Sequence, residues 1–469
     1  MFVTPTQLRS RLAAVLETLD AQGHDISQAQ ARFEALDDSY DAIIAFGNAI
    51  GDLPMRADWQ WDEPIAWEGI EAAMDPARTR GAIGSADVSA TAARVRTAFE
   101  ASVCGCILGK PVECNPSLDE LRQAGEQAGC WPFNDYLPEA LLTELSVVRG
   151  CRSGHWSQTE TLRERIRYAA ADDDINYSVM GMMLLEQHGL NFSQRDVAKM
   201  WFSNIPPGWA WGPERTQILN HGWNSILGGE ADASWVTTWN PGSELCGAAI
   251  RADAYGFACP GDPATAAWLA YKDASFTHVR NGVYATMYIA AVIATAAVCD
   301  NALEVHRTAL QYIPQNSRLA SAVRFSIDAV AQASDWLDGY RRIHDEYIDY
   351  SHCRVYQEIG TLVNTLHFAE SIDDGFCKQV MQGNDTDSFG CTSGSMCGMF
   401  MDPDRFDRRW LKPFQDTINI GLATVHEHRL SALAERMAQL PALVARGGAE
   451  TGATPAADLA AAATDGAAS

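Results

Sequence analysis

Three consecutive carboxylates stand at residues 172–174, immediately before a segment whose apolar residues recur at helical spacing. Asp172, Asp173 and Asp174 therefore occupy the start of a predicted helix. Asp is favoured there because its side chain accepts hydrogen bonds from free backbone N–H groups and because the helix dipole attracts negative charge. Taken alone, this cluster is explained equally well by a helix cap and by a functional site.

A second cluster of acids makes a functional site the better explanation. Asp385, Asp387 and Ser388 lie in the segment Gly-Asn-Asp-Thr-Asp-Ser, which a run of small residues follows. The glycine lets the chain turn sharply, and the small residues let the next helix pack closely, so two carboxylates and a hydroxyl can meet. Hard cations such as Mg²⁺ prefer these oxygen ligands, and five Asp side chains brought together would repel one another without a cation. We predict that both clusters bind metal rather than cap two unrelated helices.

An apolar segment with glycines at positions 105 and 109 precedes Lys110, Pro111 and Glu113. A phosphate-binding loop requires four residues between its glycines and a Ser or Thr after the Lys, and this segment fails both requirements. Glycines four residues apart on a helix instead favour close packing against another helix. We predict that Pro111 ends this helix and places Glu113 just beyond it, although by itself Glu113 would more often be a surface acid.

Three further motifs carry chemistry only in combination with others. Thr277 and His278 precede an apolar helix and, alone, fit a capping pair. Residues 247–251 fit one turn of helix that ends in a surface Arg. Trp209 and Trp211 offer aromatic faces on which a base could stack, although we expect them to pack in the core.

Composition excludes several classes of protein. The chain has 469 residues, of which 47% are hydrophobic, so it can bury a large core. Its formal net charge is −25 and its basic residues are scattered, which argues against a nucleic-acid duplex as partner. The 12 Cys are also scattered, without a CxxC pair, and they indicate free thiols in a reducing cytoplasm.

No segment predicts export or membrane insertion. The N-terminus lacks a basic region followed by an apolar run, so we expect no signal peptide. The most apolar stretch, residues 283–299, is shorter than the ~20 residues that cross a bilayer, and it predicts a buried helix. We therefore expect a cytoplasmic protein with no membrane partner.

Apolar residues recur at spacings of three and four along most of the chain, which predicts a mainly α-helical fold. Residues 1–94 contain helical starts and a stretch rich in Trp and Pro, which predicts an N-terminal extension packed on a larger core. Residues 95–445 form the predicted main domain. Residues 446–469 are dominated by Ala, Gly and Thr, which predicts a disordered tail.

In their order and spacing, these segments resemble the motifs of the ADP-ribosylglycohydrolase family, the dinitrogenase-reductase-activating and ADP-ribosyl-acceptor hydrolases. The resemblance covers about residues 95–425 and implies an all-α, orthogonal multi-helix bundle, with residues 95–445 as the catalytic domain. It also implies two Mg²⁺ ions, or Mn²⁺ in their place, between the acid clusters. Five motifs carry it: residues 105–113 resemble G-x-x-x-G-x-x-x-E, 172–175 resemble T-D-D-T, 247–251 resemble the latter part of G-N-G-x-x-M-R, 277–278 resemble a T-H pair, and 383–388 resemble G-x-D-T-D-[ST].

The resemblance implies roles for individual residues. In the family, water cleaves the N- or O-glycosidic bond at the ribose C1″. The implied catalytic residues are Glu113, which gates or activates the site, Asp174 and Asp387. The implied metal ligands are Asp172, Asp173, Asp174, Asp385, Asp387 and Ser388. The implied substrate contacts are His278, Gly247, Asn384 and Thr386.

The sequence departs from the family pattern in two of these motifs. Asp172 and Ile175 stand where T-D-D-T has its two Thr residues, so one metal loses a hydroxyl ligand and gains a charged one. Leu245 and Cys246 stand where the family has Gly and Asn, so the predicted binding of a diphosphate is weaker.

Three functions are compatible with the sequence. The first is a Mg²⁺-dependent hydrolase that releases ADP-ribose from a modified protein or small molecule. The second is a ribosyl hydrolase of another nucleotide-derived metabolite, and the third is a non-catalytic relative that binds ADP-ribose or serves structurally. We favour the first, and the presence of every acid expected for the chemistry argues against the third. The acceptor atom and the oligomeric state are left open.

Overall fold

The computed structural model describes residues 4–51, 53–153, 160–226, 236–237, 239–350 and 353–451. Regular structure among these residues is helical, and β-type pairing is confined to isolated bridges. The prediction of an all-α bundle is confirmed. The helices are α1 (Pro5–Ala21), α2 (Ser27–Glu34), α3 (Tyr40–Ala49), α4 (Trp67–Ala73), α5 (Val88–Gly109), α6 (Leu118–Ala128), α7 (Glu139–Arg149), α8 (Asp173–His188), α9 (Gln194–Asn204), α10 (Gly212–Ile226), α11 (Asp253–Ala258), α12 (Pro263–Ala274), α13 (Arg280–Ala296), α14 (Ala302–Leu310), α15 (Arg318–Ala331), α16 (Trp336–Tyr347), α17 (Tyr356–Phe368), α18 (Ile372–Met381), α19 (Thr386–Phe400), α20 (Leu430–Ala438) and α21 (Leu440–Thr451).

The first three helices form a small core of their own. Leu16 of α1 packs with Ile43 and Phe46 of α3, and all three side chains are buried. The guanidinium of Arg318, at the start of α15, donates a hydrogen bond to the carbonyl of Ala21 at 2.6 Å. The larger body therefore holds the end of α1 through a charged side chain.

The predicted boundary between residues 94 and 95 falls inside α5. Asp87 caps this helix by accepting a hydrogen bond from a backbone N–H of its first turn, so the irregular segment before α5 ends at residue 87. Trp67 of α4 packs against the rings of Trp268 and Tyr271, with centroid separations of 4.5 and 5.0 Å. The chain before α5 thus contributes side chains to the large core.

The large core is built around long buried helices, of which α13 and α19 bury nearly all of their residues. The buried helix predicted at residues 283–299 is α13. No helix of the described ranges is long and apolar enough to cross a membrane. All 12 cysteines are free thiols. Helix α21 continues to Thr451, and the rest of the predicted tail lies outside the described residues.

Candidate active site

Helices α5 and α19, which are far apart in sequence, meet at a glycine. A Cβ atom on Gly109 would lie 2.1 Å from the backbone oxygen of Thr386, so a larger residue does not fit there. The Thr386 hydroxyl donates to the Gly109 carbonyl at 2.8 Å. A 3₁₀ turn, Lys110–Val112, follows α5 and ends at Glu113. The close packing predicted from the glycine spacing is confirmed, and it brings Glu113 to the N-terminus of α19.

The turn before α19 is also held by a close backbone contact. Gly383 has a φ of 80°, and a Cβ atom there would lie 2.1 Å from the carbonyl oxygen of Pro116. Asn384 has a φ of 62°, a left-handed conformation that Asn tolerates better than most residues. Its N–H donates to the same Pro116 oxygen at 3.0 Å. The start of α19 is therefore anchored to the segment that carries Glu113.

Asp172 is both a helix cap and a site residue. Its Oδ1 accepts a hydrogen bond from the backbone N–H of Asp174 at 3.2 Å, as an N-cap does. Its Oδ2 lies 2.7 Å from Nζ of Lys110. Because a carboxylate has two oxygens, Asp172 caps α8 through one oxygen and contacts Lys110 through the other.

The carboxylates collect in two groups. In one, ligand atoms of Glu113, Asp385 and Asp387 lie within 4.8 Å of one another. In the other, Asp172 and Asp174 lie within the same distance of each other and of a buried thiol. The N-termini of α8 and α19 carry four of these five acids, and helix N-termini favour negative charge.

Ser388 links the two groups, since its hydroxyl lies 3.5 Å from Oδ2 of Asp174. Asp173 begins α8, is half-buried, and belongs to neither group of the described residues. The structure therefore brings together the predicted catalytic and metal-ligating residues other than Asp173.

Lys110 lies between the two groups, and the sequence does not predict it as a site residue. Its Nζ is 2.7 Å from Oε2 of Glu113, 2.7 Å from Oδ2 of Asp172 and 2.8 Å from Oδ2 of Asp387. Motif reasoning excluded a phosphate loop and left Lys110 without a role. The signal that could have found it is its position one helical turn before Glu113, on the same predicted helix end.

These buried charges shift pKa values in opposite directions. Burial opposes the charged form of Lys110, but Asp172 and Asp387 outweigh it and hold the Lys110 pKa well above its ordinary value. Burial likewise opposes ionisation of Asp387, yet Lys110 lowers the Asp387 pKa to about 2. Burial and neighbouring Asp carboxylates raise the pKa of Glu113 and of Asp174. Lys110 therefore favours the ionised form of Asp387, whereas burial and the neighbouring carboxylates favour the protonated forms of Glu113 and Asp174.

The donor set suits a hard divalent cation. Oδ1 of Asp174 and Oδ1 of Asp387 are buried and lack a hydrogen-bond donor within the described part of the chain. A buried polar atom without a partner costs free energy, and a coordinated cation would offset that cost. These residues could therefore hold a metal ion.

Two of the predicted substrate contacts meet around a carboxylate that the sequence does not predict, Glu214 of α10. His278 is fully buried; its Nδ1 hydrogen-bonds the Thr277 hydroxyl at 2.8 Å and lies 3.6 Å from Oε1 of Glu214. A Cβ atom on Gly247 would lie 2.6 Å from the same Oε1. Burial raises the pKa of Glu214 to about 7.

The other two predicted substrate contacts differ in exposure. Asn384 is half-buried in the turn before α19. Thr386 is 1% exposed, and its hydroxyl is held by the Gly109 carbonyl. The Thr386 side chain therefore connects α5 and α19, whereas Asn384 is exposed enough for a ligand to contact it.

The expectation that Trp209 and Trp211 pack in the core is wrong. Their side chains are 58% and 50% exposed. They lie in and just after a short 3₁₀ helix, Pro207–Trp209, ahead of α10, and the guanidinium of Arg215 lies 4.9 Å from the centre of the Trp211 ring. Both indole rings are therefore exposed on the surface close to the α10 turn that carries Glu214, and Arg215 covers one face of the Trp211 ring.

Comparison with known proteins places the chain in a family. The profile of the ADP-ribosylglycohydrolase family matches residues 87–447, which is most of the chain. Curated proteins give no significant match. A solved structure titled "ADP-ribosylglycohydrolase-related protein complex" aligns over 75% of this chain and 99% of its own, with 15% identity and a TM-score of 0.48. The assignment rests on the family profile: this chain belongs to the ADP-ribosylglycohydrolase family, whose members are hydrolases of ADP-ribosyl-type substrates.

Proposed function

We propose that this protein hydrolyses the N- or O-glycosidic bond at the ribose C1″ of an ADP-ribosylated protein or small molecule and releases ADP-ribose. The observation that carries this proposal is the meeting of two buried carboxylate groups at the N-termini of α8 and α19, beside Glu113. Family membership supports the substrate class.

The two groups divide naturally into two binding sites for Mg²⁺, with Mn²⁺ as a substitute. Asp172, Asp174 and Ser388 would hold one ion, and Asp385 with Asp387 would hold the other. Asp173 remains a predicted further ligand. When bound, such ions polarise a water and orient the ribose hydroxyls.

Glu113 is the carboxylate best placed to exchange a proton with the substrate. Its side chain is 23% exposed, whereas those of Asp172 and Asp387 are each 2% exposed. We assign Glu113 as the general base, because cations held by the neighbouring carboxylates would stabilise its ionised form against the burial and repulsion that raise its pKa. A proton passes from the attacking water to its carboxylate as the water oxygen bonds to C1″, while the C1″–N or C1″–O bond breaks and its electron pair leaves with the acceptor.

Other residues position these groups. Asp387, which Lys110 keeps ionised, supplies fixed negative charge in one group, and Asp174 belongs to the other group. We assign Lys110 as a positioning residue because its ammonium contacts Glu113 directly. Asn384 and Gly247 are exposed enough for direct substrate contact, whereas buried His278 would act through Glu214.

The test measures ADP-ribose release from ADP-ribosylated arginine and serine, with Mg²⁺ and with a chelator. We expect Mg²⁺-dependent release, and a loss of about 10²–10⁴-fold in the Glu113→Gln variant, the usual contribution of a general base. The matched control is Asp345→Asn, which neutralises an exposed acid on α16. Full release in the chelator would refute the metal requirement.

Thermal stability separates the remaining alternatives, because a ligand that binds only the folded state raises it. Stabilisation by Mg²⁺ alone, without release of ADP-ribose, would favour a riboside of another nucleotide-derived metabolite. No stabilisation by Mg²⁺ or ADP-ribose, together with no release, would favour a non-catalytic relative.

A further inference from the structure

Two thiols and a carboxylate from three separate elements meet beside the acid groups. Cys246 begins a 3₁₀ helix, Cys353 lies in the loop before α17, and Asp385 is the residue immediately before α19. The Sγ atoms of Cys246 and Cys353 lie 3.1 and 3.5 Å from the same oxygen, Oδ2 of Asp385. All three ligand atoms lie within 4.8 Å of one another.

The backbone holds the two cysteines in register. The N–H of Cys246 donates to the carbonyl of Cys353 at 3.0 Å. Cys353 has a φ of 65°, which a residue with a Cβ atom rarely adopts. Glu358 supports this conformation, because its two oxygens accept hydrogen bonds from the N–H groups of Cys353 and Val355 at 2.8 and 3.0 Å. The thiols are therefore presented to Asp385 by fixed backbone.

We propose that Cys246, Cys353 and Asp385 bind one thiophilic divalent cation of the Zn²⁺ class. Around a tetrahedral Zn²⁺, with Zn–S near 2.3 Å and Zn–O near 2.1 Å, ligand atoms stand roughly 3.6–3.8 Å apart. The two measured S–O separations need to widen by only a few tenths of an ångström to reach this geometry. Three protein ligands leave the fourth position open to water or to a small ligand.

The binding step balances in charge and protons. Each thiol gives up its proton to solvent as its sulfur bonds to the ion, so the two thiolates offset the two charges of the cation, and the Asp385 carboxylate leaves the site with one net negative charge. Cys246 is 5% exposed and Cys353 is half-buried, so the Cys353 side is the route of entry.

This site differs in kind from the neighbouring oxygen groups. Thiolates prefer Zn²⁺ and Cd²⁺, whereas Mg²⁺ prefers carboxylate and water oxygens. The proposal goes beyond the proposed hydrolysis and does not depend on it, and Asp385, which is also a proposed Mg²⁺ ligand, would belong to both sites. It also gives a chemical role to Cys246, one of the two residues at which the sequence departs from the family's G-N-G segment.

The experiment titrates the reduced, metal-free full-length chain with Cd²⁺ in the presence of excess Mg²⁺. The readout is the near-ultraviolet charge-transfer absorption of Cd²⁺–thiolate bonds, which neither Mg²⁺ nor hydrolysis produces. We expect saturation at one Cd²⁺ per chain and competition by Zn²⁺. Cys246→Ser and Cys353→Ser should each weaken binding by at least about 100-fold, since even second-shell partners are worth ~10–100-fold in affinity.

The matched control is Cys151→Ser, which removes an exposed thiol outside the cluster and should leave the titration unchanged. Circular dichroism and thermal melting establish that each variant is folded. Should Cys246→Ser fail to fold, Cys353→Ser, at the half-buried loop position, decides the question. Full-strength absorption in folded Cys353→Ser, or none in the reduced unmodified chain, would overturn the proposal.

Discussion

Replacing Lys110 by Met tests whether its ammonium balances the acid groups. The side chain contacts three carboxylates at 2.7–2.8 Å and is 10% exposed, so Met keeps most of its packing and removes its charge. Removing one partner of a buried ion pair costs about 3–5 kcal/mol, because the remaining charge stays buried without compensation. Proton uptake by the carboxylates offsets part of this cost, so we expect a value near 3 kcal/mol for the metal-free protein.

The assay is the midpoint of thermal unfolding, measured in a chelator and in saturating Mg²⁺. Unfolding entropy of ~2.1 cal/mol/K per residue gives about 1 °C per kcal/mol for 469 residues, so the metal-free variant should melt roughly 3 °C below the unmodified chain. Saturating Mg²⁺ should narrow this gap, because bound cations compensate the same carboxylates.

The matched control is Lys412→Met, which removes an exposed ammonium outside the site and should leave both midpoints unchanged. A Lys110→Met variant that melts with the unmodified chain in the chelator would refute the assignment of Lys110 as counter-ion. If the variant melts equally far below the unmodified chain with and without Mg²⁺, the substitution has removed only packing.

Three further changes probe the fold. Gly109→Ala places a methyl group against the backbone of α19, and we expect a loss of about 1–3 kcal/mol in denaturant unfolding; an unchanged midpoint would contradict the close contact. Asp253 accepts a hydrogen bond from Ser395, and burial raises the pKa of Asp253 to about 7. The protonated carboxyl therefore contributes fully to the free energy of unfolding below the unfolded pKa near 4, and this contribution is lost as the pH rises through 7. Asp253→Asn should flatten this fall in unfolding free energy between pH ~4 and ~7, and an unaltered slope would rule Asp253 out as its source. Arg318→Ala removes contacts to both oxygens of Glu63 and to the end of α1. We expect proteases to cleave α1–α3 faster in this variant than in the unmodified chain, while the rest of the chain resists. Equal cleavage rates of α1–α3 in the two proteins would argue against Arg318 as the anchor of α1.

The acid clusters illustrate what a sequence can predict about a site. Asp172 lies before a helix because Asp satisfies free N–H groups there, and that local rule operates within a few residues. The same holds for the glycines at 105 and 109, whose spacing predicts a close helix contact without naming the partner. Composition and periodicity could therefore predict helices, caps and candidate ligands.

Lys110 and Cys353 show where such reasoning stops. Lys110 and Asp387 are 277 positions apart, and no local rule relates an ammonium to a carboxylate at that distance. Cys353 gains its place beside Asp385 from a left-handed backbone that Glu358 stabilises, which has no signature in the pattern of apolar residues. The exposure of Trp211 was mispredicted for the same reason, since an aromatic residue in a sequence does not show which side of a turn it occupies.

The sequence by itself determined the all-α class, the starts of α8 and α19, and the set of carboxylates that could bind a cation, because helix periodicity and capping depend on neighbours along the chain. The tertiary structure decided which carboxylates share a group, that Lys110 neutralises part of their charge, and that two thiols face Asp385. The positions of the carboxylates and of Lys110 depend on the contact between α5 and α19 at Gly109, and on burial, because a buried charge without a partner costs free energy. The positions of the thiols depend on the backbone at Cys353, which Glu358 stabilises.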